Sequence, residues 1–230
     1  MPLNGMTSAS SALRYWERRQ EVTANNLANV STDGFKAERA FTMLMDGGPV
    51  IGTATDRRVG AMHGTGAPLD VALGTDSFLV AQTDSGERFT RGGHLRVDQA
   101  GFLADQNGHR LLGDNGAIAV GAGPLSIDGQ GGVSVGGKLV DHLRIEGAPN
   151  NVGLAHEGGM LLVPGATRTI VPLEQRDVRQ GFVEESNVDS LGGLVDMISV
   201  QRAYAAVEKS ISVLDHIRET ATSQLGRPAT

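Results

Sequence analysis

Toward the C-terminus, Met197, Val200, Tyr204, Val207, Ile211, Leu214, Ala221 and Leu225 fall three and four residues apart, with Arg218 standing where one more apolar residue is expected. That spacing is the seam of a long helix that packs on another helix. Asp196, Arg202, Glu208, Lys209, Asp215, Arg218 and Glu219 take the opposite side, so the helix has one face for a partner and one for water. Ser186-Asn187-Val188-Asp189 supplies short polar side chains that accept hydrogen bonds from the amides of a first turn, and Gly226 and Pro228 mark the stop. The N-terminal end repeats the alternation at Met6, Ala9, Leu13, Trp16, Gln20, Thr23, Leu27 and Val30, with partly polar occupants at Gln20 and Thr23. A first helix over about 5–29 follows, ended by Asn29-Val30-Ser31-Thr32-Asp33-Gly34, whose short polar side chains bond their own backbone. Each large apolar side chain left in water forfeits about 1.5–3 kcal/mol of burial, so two such seams at opposite ends of one chain drive pairing.

The middle has another texture. Residues 36–66 carry only one short apolar run, at 41–45, and then Gly, Pro and Thr, which predicts an extended, loosely ordered linker. From there the chain alternates short apolar runs with turn residues. Runs lie at 69–73, 77–81, 88–91, 94–97, 102–104, 110–112, 125–127, 133–135, 139–145, 161–163 and 169–171. Asp84-Ser85-Gly86, Asp98-Gln99-Ala100-Gly101, Gln106-Asn107-Gly108 and Asp114-Asn115-Gly116 punctuate them, the pattern of antiparallel strands joined by tight turns. Residues 175–181 link this body to the second helix. The fold class predicted is mixed: an all-β central domain of short antiparallel strands, flanked by N- and C-terminal α-helices that pair as a coiled-coil-like assembly domain. The predicted divisions are an assembly helix at 1–35, an extended linker at 36–66, a β-rich domain at 67–181 and a second assembly helix at 182–230.

Composition narrows the function. The chain has 230 residues, a net charge of −6 and no cysteine, which excludes a basic nucleic-acid binder and a disulfide scaffold. No basic run leads into an apolar core and cleavage site, and no apolar stretch is long enough to span a bilayer, so neither Sec-type secretion nor direct membrane insertion is expected. Aromatic residues are scarce at 4% while glycines number 32, so Val, Leu and Ala must fill a turn-rich interior.

Two patterns imitate catalytic sites. Gly132-Val133-Ser134-Val135-Gly136 spells a nucleophile elbow with Asp141 and His142 nearby, yet an elbow needs a strand-turn-helix context and another strand follows here. The same glycines running to Lys138 imitate a phosphate loop, but Leu139 stands where a magnesium-binding Ser or Thr belongs. His63, His94, His109, His142, His156 and His216 are scattered singly, with no cysteine to complete a zinc site. The Asp-Gly turns lack the closing Glu of a twelve-residue calcium loop. No catalytic, cofactor or metal residue is assigned.

Three separate stretches, in order, resemble one family. Ala24-Asn25-Asn26-Leu27-Ala28-Asn29-Val30-Ser31-Thr32-Asp33-Gly34-Phe35-Lys36 resembles the N-terminal signature of the bacterial flagellar rod and hook proteins. Glu185-Ser186-Asn187-Val188-Asp189, with Gln201-Arg202-Ala203-Tyr204, is similar to the family's closing helix. Asp76-Ser77-Phe78-Leu79-Val80, Phe89-Thr90-Arg91-Gly92-Gly93 and Asp98-Gln99-Ala100-Gly101 resemble its central β motif. Residues 149–170 match weakly, and the first five residues depart from the usual opening. The resemblance is strongest to the proximal rod member, with a distal rod or hook subunit as the alternative.

What the resemblance implies is a structural, non-enzymatic subunit of the basal-body rod, polymerising through its terminal helices into part of the axial drive shaft. Its partners would be copies of itself, other rod and hook proteins and the flagellar type III export apparatus, with no cleaved signal peptide, no cofactor and no nucleic acid. The residues expected to carry assembly are Leu13, Trp16, Leu27, Val200, Tyr204, Val207, Ile211 and Leu214, with Asn25, Asn26, Leu27, Asn29, Gly34 and Phe35 forming the family turn. The competing reading from another class is a self-contained β-domain enzyme or ligand-binding protein whose terminal helices form an ordinary intrachain pair.

Overall fold

The computed structural model of the chain describes residues 3–46, 48–121, 123–148, 154–158 and 160–225. The expected helix stop at Gly226 and Pro228, the seam side chain of Leu225, and residues 149–153 and 159 of the weakly matching 149–170 stretch lie outside the described residues. Contacts divide the chain into two units. One joins Met1–Leu27, Glu38–Thr53 and Asp189–Thr230; the other joins Ala28–Ala37 and Ala54–Val188.

The first unit holds α1 (Leu3–Ala28), the paired strands β1 (Glu38–Met45) and β2 (Gly48–Thr55), and α2 (Ser190–Leu225). Helix α2 starts where Asp189 caps it: the Asp189 carboxylate accepts the Gly192 amide at 3.0 Å and its carbonyl accepts the Gly193 amide at 2.8 Å. The two helices run antiparallel. A Cβ at Gly193 would meet the Leu27 side chain at 3.9 Å, Arg19 pairs with Asp196, and Arg218 donates to the Met6 sulfur at 2.7 Å.

The β1–β2 hairpin corrects the expectation of a loosely ordered linker over 36–66. Its strands escape a reading by alternation because Met43, Leu44 and Met45 are consecutive and all exposed, so no period-two burial shows in the sequence. What fixes the hairpin's start is the Asn26 amide. It donates to the Glu38 carbonyl at 2.7 Å and accepts the Glu38 amide at 2.9 Å, as a neighbouring strand would.

The second unit is β-rich. In chain order it contains β3 (Met62–Gly64), β4 (Asp70–Leu73), β5 (Phe78–Thr83), β6 (Gly86–Thr90), β7 (Gly92–Val97), β8 (Leu103–Asp105), β9 (Arg110–Gly113) and β10 (Gly116–Ala117). There follow β11 (Leu125–Ile127), β12 (Gly132–Val135), β13 (Lys138–His142), β14 (Ile145–Gly147), β15 (Ala155–His156), β16 (Leu162–Val163) and β17 (Thr169–Ile170). The unit closes with β18 (Val178–Gln180) and β19 (Phe182–Glu184). The main sheet runs β15-β16-β6-β5-β9-β8-β7-β4-β18, β11-β12-β13 form a second sheet, and β19 pairs with β3.

Burial explains the order. Successive residues of a strand point to opposite faces, and both faces of β5 are buried. Leu79 and Ala81 join a core with Val71, Leu103, Leu111, Leu143 and Ile145. Phe78 and Val80 join a second core, in which the Phe78 and Phe89 rings stack with centroids 5.1 Å apart. The run expected at 139–145 breaks in two because Leu143, fully buried, bridges to Gly113 between β13 and β14. Gly132–Val135 is a strand that turns through Gly136 and Gly137, both at positive φ, into β13, so a hairpin occupies the place where an elbow would need a helix. The stretch 175–181, read as a link, contributes β18, which pairs with β4.

Candidate functional site

Two places gather the residues that the sequence singles out, one in each unit. In the helical unit the seam lies between α1 and α2. Val200 is fully buried and Thr23 nearly so, while Met6, Ala9, Leu13, Trp16, Gln20 and Leu27 on α1 and Met197, Tyr204, Val207 and Ile211 on α2 are half-buried. Leu214 is 37% exposed, and everything from Ser212 to Ser223 is solvent-accessible. A groove of about 730 Å³ lies between Leu13 on α1 and Ile211, Asp215 and Glu219 on α2.

The seam contains charge that its spacing hid. Asp196, assigned to the polar face by the sequence pattern, turns to α1, where it pairs with Arg19 and accepts from the Thr23 hydroxyl at 3.3 Å. The Arg19 guanidinium in turn lies 5.5 Å from the Trp16 ring centre. Val22, 4% exposed, is a core residue outside the three-four alternation.

The other side of α2 is apolar as well. Leu191, Leu194, Val195, Ile198, Val213 and Ile217 are 49–73% exposed. At 100° per residue, Leu191, Leu194, Val195 and Ile198 cluster on the face opposite Val200. The helix therefore carries two apolar faces, of which α1 occupies one.

In the β-rich unit the family turn meets the segment before α2. The Asn29 carbonyl accepts the Thr32 amide at 3.1 Å, and Gly34 takes the left-handed φ of +72° that the turn requires. The Gly34 amide then donates to the Glu184 carbonyl at 2.6 Å, and Phe35, 1% exposed, is locked in the interior. Asn187 completes the junction: its side chain accepts the Ala37 amide at 2.7 Å and donates to the carbonyls of Asp56 and Arg58 at 2.8 and 2.9 Å. Asn25 lies exposed on α1.

At the centre of this junction is a buried ion triad. Lys36, Arg91 and Glu184 have side chains 1% exposed; Lys36 Nζ reaches one Glu184 oxygen at 2.6 Å and Arg91 reaches the other at 2.6 Å. Arg91 also donates to the carbonyls of Leu73, Thr75 and Ser77, and the Gly60 amide donates to Glu184 at 2.8 Å. Burial, and then the neighbouring Arg91, hold the Lys36 ammonium below its ordinary range. Lys36 and Arg91 come from two of the stretches that carry the family resemblance, and Glu184 directly precedes the third. Their spacing in the sequence, 36, 91 and 184, gives no signal that joins them.

A pH-sensitive contact ties the same turn to the sheet. His94 bonds Asp70 at 2.7 Å through Nδ1 and faces Asp33 at 3.1 Å through Nε2. The Asp70 hydrogen bond, against some desolvation and with help from Asp33, raises the pKa of His94. A histidine that binds its proton more tightly when folded stabilises fully below its ordinary value of 6.5, and that contribution is lost as pH rises through the raised one. The urea midpoint of the β-rich unit, compared between wild type and His94→Gln, is expected to show a difference that shrinks from about pH 5.5 to 8.5. A difference independent of pH refutes this.

Comparison with known proteins accords with where these residues fall. A family model described as flagella basal body rod protein matches residues 6–36, and one described as flagellar basal body rod FlgEFG protein C-terminal matches 179–225. The chain is 34% identical over 235 residues to the flagellar basal-body rod protein FlgF of Escherichia coli K12, covering 91% of this chain and 92% of the relative. It is 29% identical to FlgF of Caulobacter vibrioides, covering 91% and 93%, and 27% identical to the rod protein FlgG of Bacillus subtilis 168, covering 94% and 96%. The chain thus belongs to the flagellar basal-body rod protein family, as a structural subunit with no enzymatic role.

Proposed function

We propose that this subunit takes a proximal, FlgF-like place in the rod and polymerises through its helical unit as part of the axial drive shaft. Alignment length supports the FlgF-like place. FlgF relatives align over 228–237 residues and FlgG relatives over 242–264, so the longer FlgG chains fit this one only with insertions. Its partners are then copies of itself and other rod and hook proteins. Delivery is by the flagellar type III apparatus without a cleaved signal peptide. None of the described helices is long and apolar enough to cross a membrane.

The observation that carries the assembly reading is the second apolar face of α2. The expected seam of Leu13, Trp16, Leu27, Val200, Tyr204, Val207 and Ile211 acts by holding the two helices as a pair. Leu214 and the opposite stripe are what the pair offers to a neighbour, since large aliphatic side chains left in water favour association.

The test separates folding from incorporation. Val213→Asp with Ile217→Asp changes two side chains already 51% and 57% exposed, so the purified chain should keep its Trp16 fluorescence and its stability. In cells whose own copy is deleted, that variant is expected to be missing from purified basal bodies and to leave the cells non-motile. Normal motility with the variant in the rod overturns the reading.

A further inference from the structure

The helical unit carries two uncovered apolar patches of different shape. One is the α2 face of Leu191, Leu194, Val195 and Ile198; the other is the run Met43, Leu44 and Met45 at the end of β1, where Leu44 is 87% exposed. Within the chain neither covers the other. Each patch has one charge beside it. Asp46 follows the hairpin run and Arg202 lies one helical turn after Ile198; both are exposed, and neither has an ion-pair partner among the described residues.

We infer that the β1–β2 hairpin of one copy seats on the Leu191–Ile198 face of α2 in a second copy, with Asp46 against Arg202. The inference rests on the reading that copies meet through the helical unit, and adds which surfaces touch. The patches suit one another. Two methionines flank Leu44, and their unbranched thioethers adapt to the ridged surface of a helix better than branched side chains do. The charges have opposite sign, which fixes the register of the contact. Joining two different patches of one chain makes the contact heterologous, so it propagates along a filament; α2 faces meeting each other about a two-fold axis close into a dimer.

The chain has no cysteine, so single cysteines report the contact without background. Cells co-expressing a Leu44→Cys chain and an Ile198→Cys chain are oxidised after flagellar assembly, and the basal bodies are isolated. A disulfide between position 44 of one copy and position 198 of another is expected, and none when either variant is expressed alone. An adduct of 198 with 198, a link from 44 to a different axial protein, or rods that contain both variants with no 44–198 adduct overturns the inference. In the last case rod incorporation itself still supports assembly through the helices, so the two ideas fail separately. Should a cysteine variant stay out of the rod, charge exchange decides. Asp46→Arg and Arg202→Asp are each expected to lose incorporation and to regain it when one chain carries both, and failure of the double variant to regain it overturns the inference.

Discussion

A Glu184→Ala chain is expected to lose about 3–5 kcal/mol from its β-rich unit, the usual consequence of removing one partner from a buried ion pair. The size follows from what stays behind. Lys36 and Arg91 remain, 1% exposed and facing each other, with no anion between them. The Gly60 amide also loses its acceptor. Lys36→Met is expected to cost clearly less, because Glu184 stays bonded to Arg91 and the remaining pair is neutral. Far-UV circular dichroism in urea and amide exchange over residues 54–188 measure both. The single tryptophan and both tyrosines, Trp16, Tyr15 and Tyr204, sit in the helical unit and should not report this loss. If the two variants cost the same, charge imbalance is not what makes the triad sensitive.

The second large effect belongs to the helix pair. Val200→Asp places a carboxylate at a position with no solvent exposure, adding a desolvation cost of several kcal/mol to the roughly 1.5–3 kcal/mol of burial that valine supplies. The helices are expected to part: Trp16 emission shifts to the red and its near-ultraviolet signal is lost, while the strand signal of the β-rich unit persists. Ile198→Asp, two residues earlier and 52% exposed on the other face, is expected to leave the isolated chain unchanged. Equal effects from the two variants mean that α2 is not bifacial. The comparison is demanding because both changes introduce the same charge into the same helix.

Much of the architecture was legible because it is written in short-range chemistry. Asp189 and the Gly34 turn mark helix ends through local hydrogen bonds, and the turns at Gly86, Gly101, Gly108 and Gly116 announce hairpins through a φ that favours glycine. Heptad spacing picked out Val200, which the structure buries fully. The rest depends on tertiary context. Asp196 reads as a solvent-facing charge until Arg19 is brought beside it from 177 residues away. Likewise Lys36, Arg91 and Glu184 form one site only after the sheet has closed, and spacing along the chain carries no sign of that. The β1–β2 hairpin stayed hidden because its apolar residues are uncovered in the single chain, so the alternation that burial imposes on other strands is missing.

That a subunit joins the rod by its helical unit is tested most directly by cryo-microscopy of basal bodies isolated from cells that make this chain, at a resolution that traces side chains. The expected map places copies of it within the rod, with α1 and α2 paired as in the single chain and the Leu191, Val195 and Ile198 face of α2 covered by a neighbour. A rod without this chain, or one in which that face stays bare and copies touch only through their β-rich units, contradicts it.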